Sequence, residues 1–160
     1  MPEHPLRPLR IALPLLALVA SLALALAAQA QPAQDIQLQG MRGERLGNAD
    51  LAQGTTILVF WTSWSPHSRD IVARVNPLAE RWGARARVLT VNFMEERPAV
   101  DGFLSRKAFD VPVFLDPDGA FARKYAVATL PGLLILRDGQ TVYKGRLPDD
   151  PDRVIADFLH

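Results

Sequence analysis

The sequence predicts an α/β fold for residues 36–160, a mixed β-sheet sandwiched between helices on both faces. Two continuous apolar runs, Thr56–Trp61 and Arg87–Phe93, read as strands buried on both sides. Between them Ile71, Val75, Leu78 and Trp82 recur at spacings of four, three and four, which puts one apolar stripe on a helix. Near the end, Gly132–Leu136 and Thr141–Lys144 flank Asp138-Gly139, a hairpin signature. Parallel strands need a helical crossover and a hairpin is antiparallel, so the sheet must be mixed.

The elements follow in order. Residues 31–35 form a linker. Ile36 and Leu38 alternate with polar residues as in a short edge strand, punctuated by Gly40 and Gly43. Asn48–Leu51 reads as one helical turn before Gln53-Gly54. After the first buried strand, Ser65 opens the long helix and Gly83 ends it; Pro77 inside it is expected to kink or split it. Pro98–Phe109 is expected to be a helix, with Val100, Phe103, Leu104 and Phe109 apolar. Val111–Leu115 is a short apolar strand, closed by the turn Asp116-Pro-Asp-Gly119. Phe121–Val127 reads as helical. Asp150 or Asp152 caps a last helix whose Val154, Ile155, Phe158 and Leu159 face inward.

Residues 1–30 are set apart as a signal peptide. Arg7 and Arg10 precede an uncharged apolar run, Ile11–Ala28, and Ala28-Gln29-Ala30 has the small-x-small form of a cleavage site. Retention of residues 11–28 as an inner-membrane anchor is the alternative, and on either reading the globular part is exported, in keeping with a bacterial periplasm. Cleavage would remove Arg7, Arg10 and Glu3 from 18 basic and 17 acidic residues, leaving the two signs balanced. A neutral domain without a basic run has no electrostatic reason to bind nucleic acid, and a membrane contact is expected only if the N-terminal segment stays. The remaining ~130 residues suffice for a core without staples.

Phe60-Trp61-Thr62-Ser63-Trp64-Ser65-Pro66-His67-Ser68-Arg69 resembles the active-site segment of exported thiol–disulfide oxidoreductases of the TlpA type, within the thioredoxin-like superfamily. Their pattern is F-W-A-x-W-C-x-x-C-R. Thr129-Leu130-Pro131-Gly132 sits where that family places a cis-proline before its hairpin, and Val111–Gly119 followed by Lys124–Val127 matches its middle section. The resemblance covers residues 36–160 and implies a thioredoxin-like three-layer sandwich. The departures are chemical. Serine stands at both cysteine positions, Ser65 and Ser68, and Val59 occupies a position where relatives often carry a buried Asp or Asn.

The chain contains no cysteine. Disulfide exchange needs a thiolate to attack and a second thiol to resolve the mixed disulfide. A serine hydroxyl ionises far too weakly and cannot join a disulfide, so the sequence predicts a redox-inactive member with no catalytic residue and no cofactor. Ser65-Pro66-His67-Ser68 has a complete structural reading: Ser65 as N-cap, Pro66 at the first helical position, Ser68 satisfying a first-turn amide. Beside it stands a binding reading, in which the helix N-terminus and its two hydroxyls still hold an anionic or carbonyl-bearing ligand. His67 at a helix start should favour its neutral form. A serine-dependent enzyme built on Ser65 or Ser68 with His67 and Asp70 lacks a Gly-x-Ser-x-Gly elbow and a recognisable oxyanion loop. No metal site is expected, since His67 and His160 are the only histidines after residue 30. Met94 with Glu95 and Glu96 reads as a strand end with solvated charges.

Trp61 is expected in the core, and by the resemblance Trp64, just before the helix cap, would lie partly exposed beside the active-site surface. By the resemblance, Pro131 would leave the backbone of Leu130 free to pair with a substrate strand. The candidate binding set is therefore Trp64, Ser65, Pro66, His67, Ser68, Thr129, Leu130 and Pro131, with a cell-envelope protein or peptide as partner. A structural or regulatory subunit that makes contact through another surface is the remaining alternative.

Overall fold

The computed structural model describes residues 35–159, which lie within one unit, Asp35–His160. Calls on residues 1–34 and on His160 fall outside the described residues. The strands are β1 (Leu38–Gly40), β2 (Arg45–Leu46), β3 (Thr55–Trp61), β4 (Arg87–Phe93), β5 (Val113–Asp116), β6 (Gly132–Arg137) and β7 (Gln140–Arg146). The helices are α1 (Asn48–Leu51), α2 (Ile71–Trp82), α3 (Arg97–Leu104), α4 (Ala120–Lys124) and α5 (Pro151–Ala156), with a 3-10 turn at Pro66–Ser68. All seven strands join one sheet in the order β2-β1-β5-β4-β3-β6-β7.

β3 sits near the centre because both its faces are apolar. It pairs parallel with β4, Val59 against Thr90 and Trp61 against Asn92, and antiparallel with β6, Val59 against Leu133. The two-residue period of a strand then sorts the core into two layers. Ile57, Val59 and Trp61 face α2, α3 and α5, where Ile71, Val75, Leu78, Trp82, Val100 and Ile155 are buried. Leu58 and Phe60 face the other way, toward Leu51 of α1 and Phe121 of α4. This is the thioredoxin-like α/β fold.

Several boundaries differ from expectation, each for a local reason. Pro77 neither kinks nor splits α2, which runs unbroken from Ile71 to Trp82. Ala73, whose carbonyl loses its partner, and Pro77 are both exposed, so water can satisfy that oxygen. The interruption comes earlier, at Arg69 and Asp70, between the 3-10 turn and α2. α3 stops at Leu104, short of the expected Phe109. Asn76 clamps the connection that follows, donating to Ala108 O at 3.2 Å and accepting from Asp110 N at 3.1 Å. Phe109 still reaches the core, its ring 5.2 Å from that of Trp61. β2 was not anticipated; two residues are too few for a periodicity signal.

Candidate functional site

β3 and β4 deliver their C-terminal ends side by side, and the loop leaving β3 carries the Ser65–Ser68 segment. Ser65 is the N-cap of the 3-10 turn, its Oγ accepting from His67 N at 3.3 Å, and Pro66 takes the first turn position. Ser68 N donates to Ser65 O at 3.0 Å, which closes the turn. Ser68 corrects an expectation. Its side chain is fully buried, and its Oγ lies 3.5 Å from Thr62 N in the strand-exit loop instead of satisfying a first-turn amide. A buried hydroxyl cannot touch an arriving partner, so Ser68 belongs to the support of the turn. His67 is exposed, and its ring makes no hydrogen bond to Ser65, Ser68 or Asp70 among the described residues.

The largest correction concerns Glu95. Instead of a solvated charge it is 9% exposed. Its carboxylate accepts from Ser63 N at 2.6 Å, Ser63 Oγ at 2.5 Å and Asn92 Nδ2 at 2.7 Å. A carboxylate can be buried only when donors replace its water, and here three do. Met94 makes the geometry possible by taking a left-handed backbone, φ 55°, which turns the chain so that Glu95 points back beneath the β3 loop. The only signal in the sequence was a pair of acids after a buried strand, and such pairs are usually solvated. Around this staple the buried Trp61 Nε1, Thr62 Oγ1 and Asn92 Oδ1 have no hydrogen-bond partner among the described residues, so unsatisfied polar atoms collect at this end of the sheet.

Trp61 is in the core, its ring packed 4.9 Å from Phe103. Trp64 is 71% exposed. With Met94, 57% exposed, it is one of two large exposed apolar side chains among the described residues, and both follow the C-terminal ends of adjacent strands. The peptide bond between Leu130 and Pro131 is cis. Pro131 O accepts from Leu147 N at 2.9 Å, whereas neither the N–H nor the C=O of Leu130 has a hydrogen-bond partner among the described residues. Gly132 is needed directly after it: a Cβ there would meet Thr129 O at 2.7 Å.

Pro66, His67 and Pro131 come together as walls of one open cleft of about 420 Å³. Ser65, Thr129 and Leu130 sit next to these walls in the chain without lining the cleft, and Trp64 lies outside it. The remaining walls were missed in the sequence: Arg69, Asp70 and Arg74 beyond the turn, and Arg146 and Asp149 after the hairpin. No motif links residues that far apart; only the pairing of β6 with β7 brings Arg146 opposite Gly132. No group of three or more His, Cys, Asp or Glu is placed to hold a metal ion among the described residues.

On the far side of the sheet, Asp116 at the end of β5 is buried and accepts from Phe121 N at 3.1 Å and Ala122 N at 2.8 Å, which satisfies the first amides of α4. Burial lifts its carboxyl above the ordinary value of 3.8, the two amides opposing part of that rise.

Residues 30–144 match the model of the AhpC/TSA family. The chain belongs to that family. Among curated AhpC/TSA-like relatives, Thiol-disulfide oxidoreductase ResA of Bacillus subtilis is 24% identical over 129 residues, 80% of this chain and 72% of its own length. Sporulation thiol-disulfide oxidoreductase A of the same organism is 26% identical over 96 residues, 58% of each chain, so that match spans less than two thirds of the relative. Among solved structures, a candidate thiol:disulfide interchange protein DsbE from Chlorobium tepidum superposes with a TM-score of 0.68 at 25% identity, covering 79% of this chain and 92% of that one. The family's thioredoxin-like members of this kind are thiol–disulfide oxidoreductases, while this member has no cysteine anywhere in its sequence.

Proposed function

We propose that this protein is a redox-inactive, exported member of the thiol–disulfide oxidoreductase family that binds a protein or peptide beside the former active site. The observation that carries the reading is the contrast at the 3-10 turn. The fold and the cis-proline are kept around two serine side chains that are both buried, Ser65 at 9% exposed and Ser68 completely. Without sulfur there is no electron pair to attack a disulfide. What persists is recognition geometry: the unpaired backbone of Leu130, the cleft between Pro66, His67 and Pro131, and exposed Trp64. An extended segment can add to such an edge through main-chain hydrogen bonds, with an aromatic anchor alongside. The apolar run 11–28 supports export, by cleavage or as an anchor. None of the described helices is long and apolar enough to cross a membrane.

The test compares envelope proteins retained by the wild type with those retained by a Trp64→Ala/Leu130→Asp double variant that still melts cooperatively. Partners lost in the variant support the groove. Identical partner sets would move the contact to another surface and favour a structural subunit. Labelling of Ser65 by a serine-hydrolase probe would replace the reading with an enzymatic one.

A further inference from the structure

We infer that the cleft beside Pro131 is a subsite for an acidic side chain of the bound segment, so that the partner presents Asp or Glu next to the stretch pairing with Leu130. This rests on the groove reading above and names the chemistry of its occupant. Three arginines, Arg69, Arg74 and Arg146, line the cleft with Asp70 and Asp149. In most protein surfaces such neighbours pair off. Here they do not: the one ion pair among the described residues is Arg81 with Asp152, on α2 and α5. Arg74 is fixed in place by donating to Leu147 O at 3.2 Å and Pro148 O at 2.7 Å, contacts that neutralise none of its charge. Arg69 and Arg146 are exposed, and their side chains make no hydrogen bond among the described residues.

Among the arginines and aspartates of the cleft, three against two leave one unit of positive charge. That balance suits one carboxylate and resists a phosphate dianion or a polyanion, which would face Asp70 and Asp149 as well. Guanidinium groups suit a carboxylate because their planar forks match its two oxygens. Both the N–H and the C=O of Leu130 lack partners, which suits a chain continuing in both directions and not one that ends there. The carboxylate is therefore assigned to a side chain of an internal segment.

The experiment screens the full-length chain, in detergent, against a positional library of short peptides acetylated and amidated at their ends. The best binder is then remade with Gln for its acidic residue. Acidic residues should be enriched at one register, and the Gln peptide should bind about tenfold more weakly, as for loss of a charge-assisted contact. In an Arg69→Gln/Arg146→Gln variant with an unchanged melting midpoint, the Glu-to-Gln affinity ratio should fall toward one, and rising salt should erode it in the wild type. Binding without acidic enrichment, or a ratio unchanged in the variant, overturns the subsite and leaves the groove standing. Tighter binding of the best peptide when it is remade with a free C-terminal carboxylate in place of its acidic side chain overturns the side-chain assignment. Failure of every peptide to bind the wild type overturns the groove reading, and the subsite with it.

Discussion

At Glu95 a single carboxylate collects three donors, two from Ser63 in the loop after β3 and one from Asn92 of β4, and truncating it would strand Ser63 N in a part-buried site and Asn92 Nδ2 in a buried one. Glu95→Ala should therefore lower unfolding free energy by about 2–3 kcal/mol, read from urea melts, because unpaired buried donors cost more than the bonds were worth. A loss under about 0.5 kcal/mol, the level of an ordinary surface substitution, would show the staple to be loose. The serines of the turn allow the opposite kind of test. A turn closed by a Ser68 N to Ser65 O bond holds the two Cα atoms within about 7 Å, close to the span of a disulfide at about 4.4–6.8 Å. Ser65→Cys/Ser68→Cys should form an intrachain disulfide and turn over insulin slowly, while the wild type is expected to show no turnover. Val59, buried and apolar, supplies no polar group to assist the exchange. A folded, fully inactive double variant would show that more than sulfur has diverged.

At the scale of elements, α4 depends on Asp116, and the dependence carries a pH signature. Burial holds its native carboxyl above 3.8, so as pH rises the unfolded chain gives up its proton first. Between 3.8 and the raised value the native state binds more protons, and stability falls with rising pH across that window. Asn cannot titrate, so the stability difference between wild type and Asp116→Asn should shift against the wild type as pH climbs above 3.8. A difference independent of pH would contradict the cause assigned to the shift. Elements were readable from sequence where pattern and burial agree. The apolar runs became β3 and β4, the stripe from Ile71 to Trp82 became the buried face of α2, and the Asp138-Gly139 hairpin became β6 and β7. Legibility failed at Pro77, where exposure leaves the orphaned Ala73 carbonyl open to water, and where tertiary contacts overrode local signals, at the Asn76 clamp and at Glu95. The candidate site divided the same way: residues contiguous with the serines could be named, whereas Arg146 and Asp149 arrive through strand pairing that no local window contains.

Across the whole molecule, stability comes from two apolar layers on one seven-stranded sheet, with no covalent cross-link to help. The melting midpoint should thus be the same with and without dithiothreitol, unlike that of a disulfide-bearing relative, and any reductant-dependent shift would point to a contaminating species. The staple at Glu95 also divides the molecule's breathing. Ser63 N is bonded to a residue on the neighbouring strand's exit, so its amide can exchange with deuterium only when the β3–β4 end of the sheet opens. The amides of Trp64 and Ser65, next in the chain and without partners among the described residues, can exchange without any such opening. Protection should drop abruptly between Ser63 and Trp64, marking the point where the stapled end of the sheet gives way to the exposed Trp64.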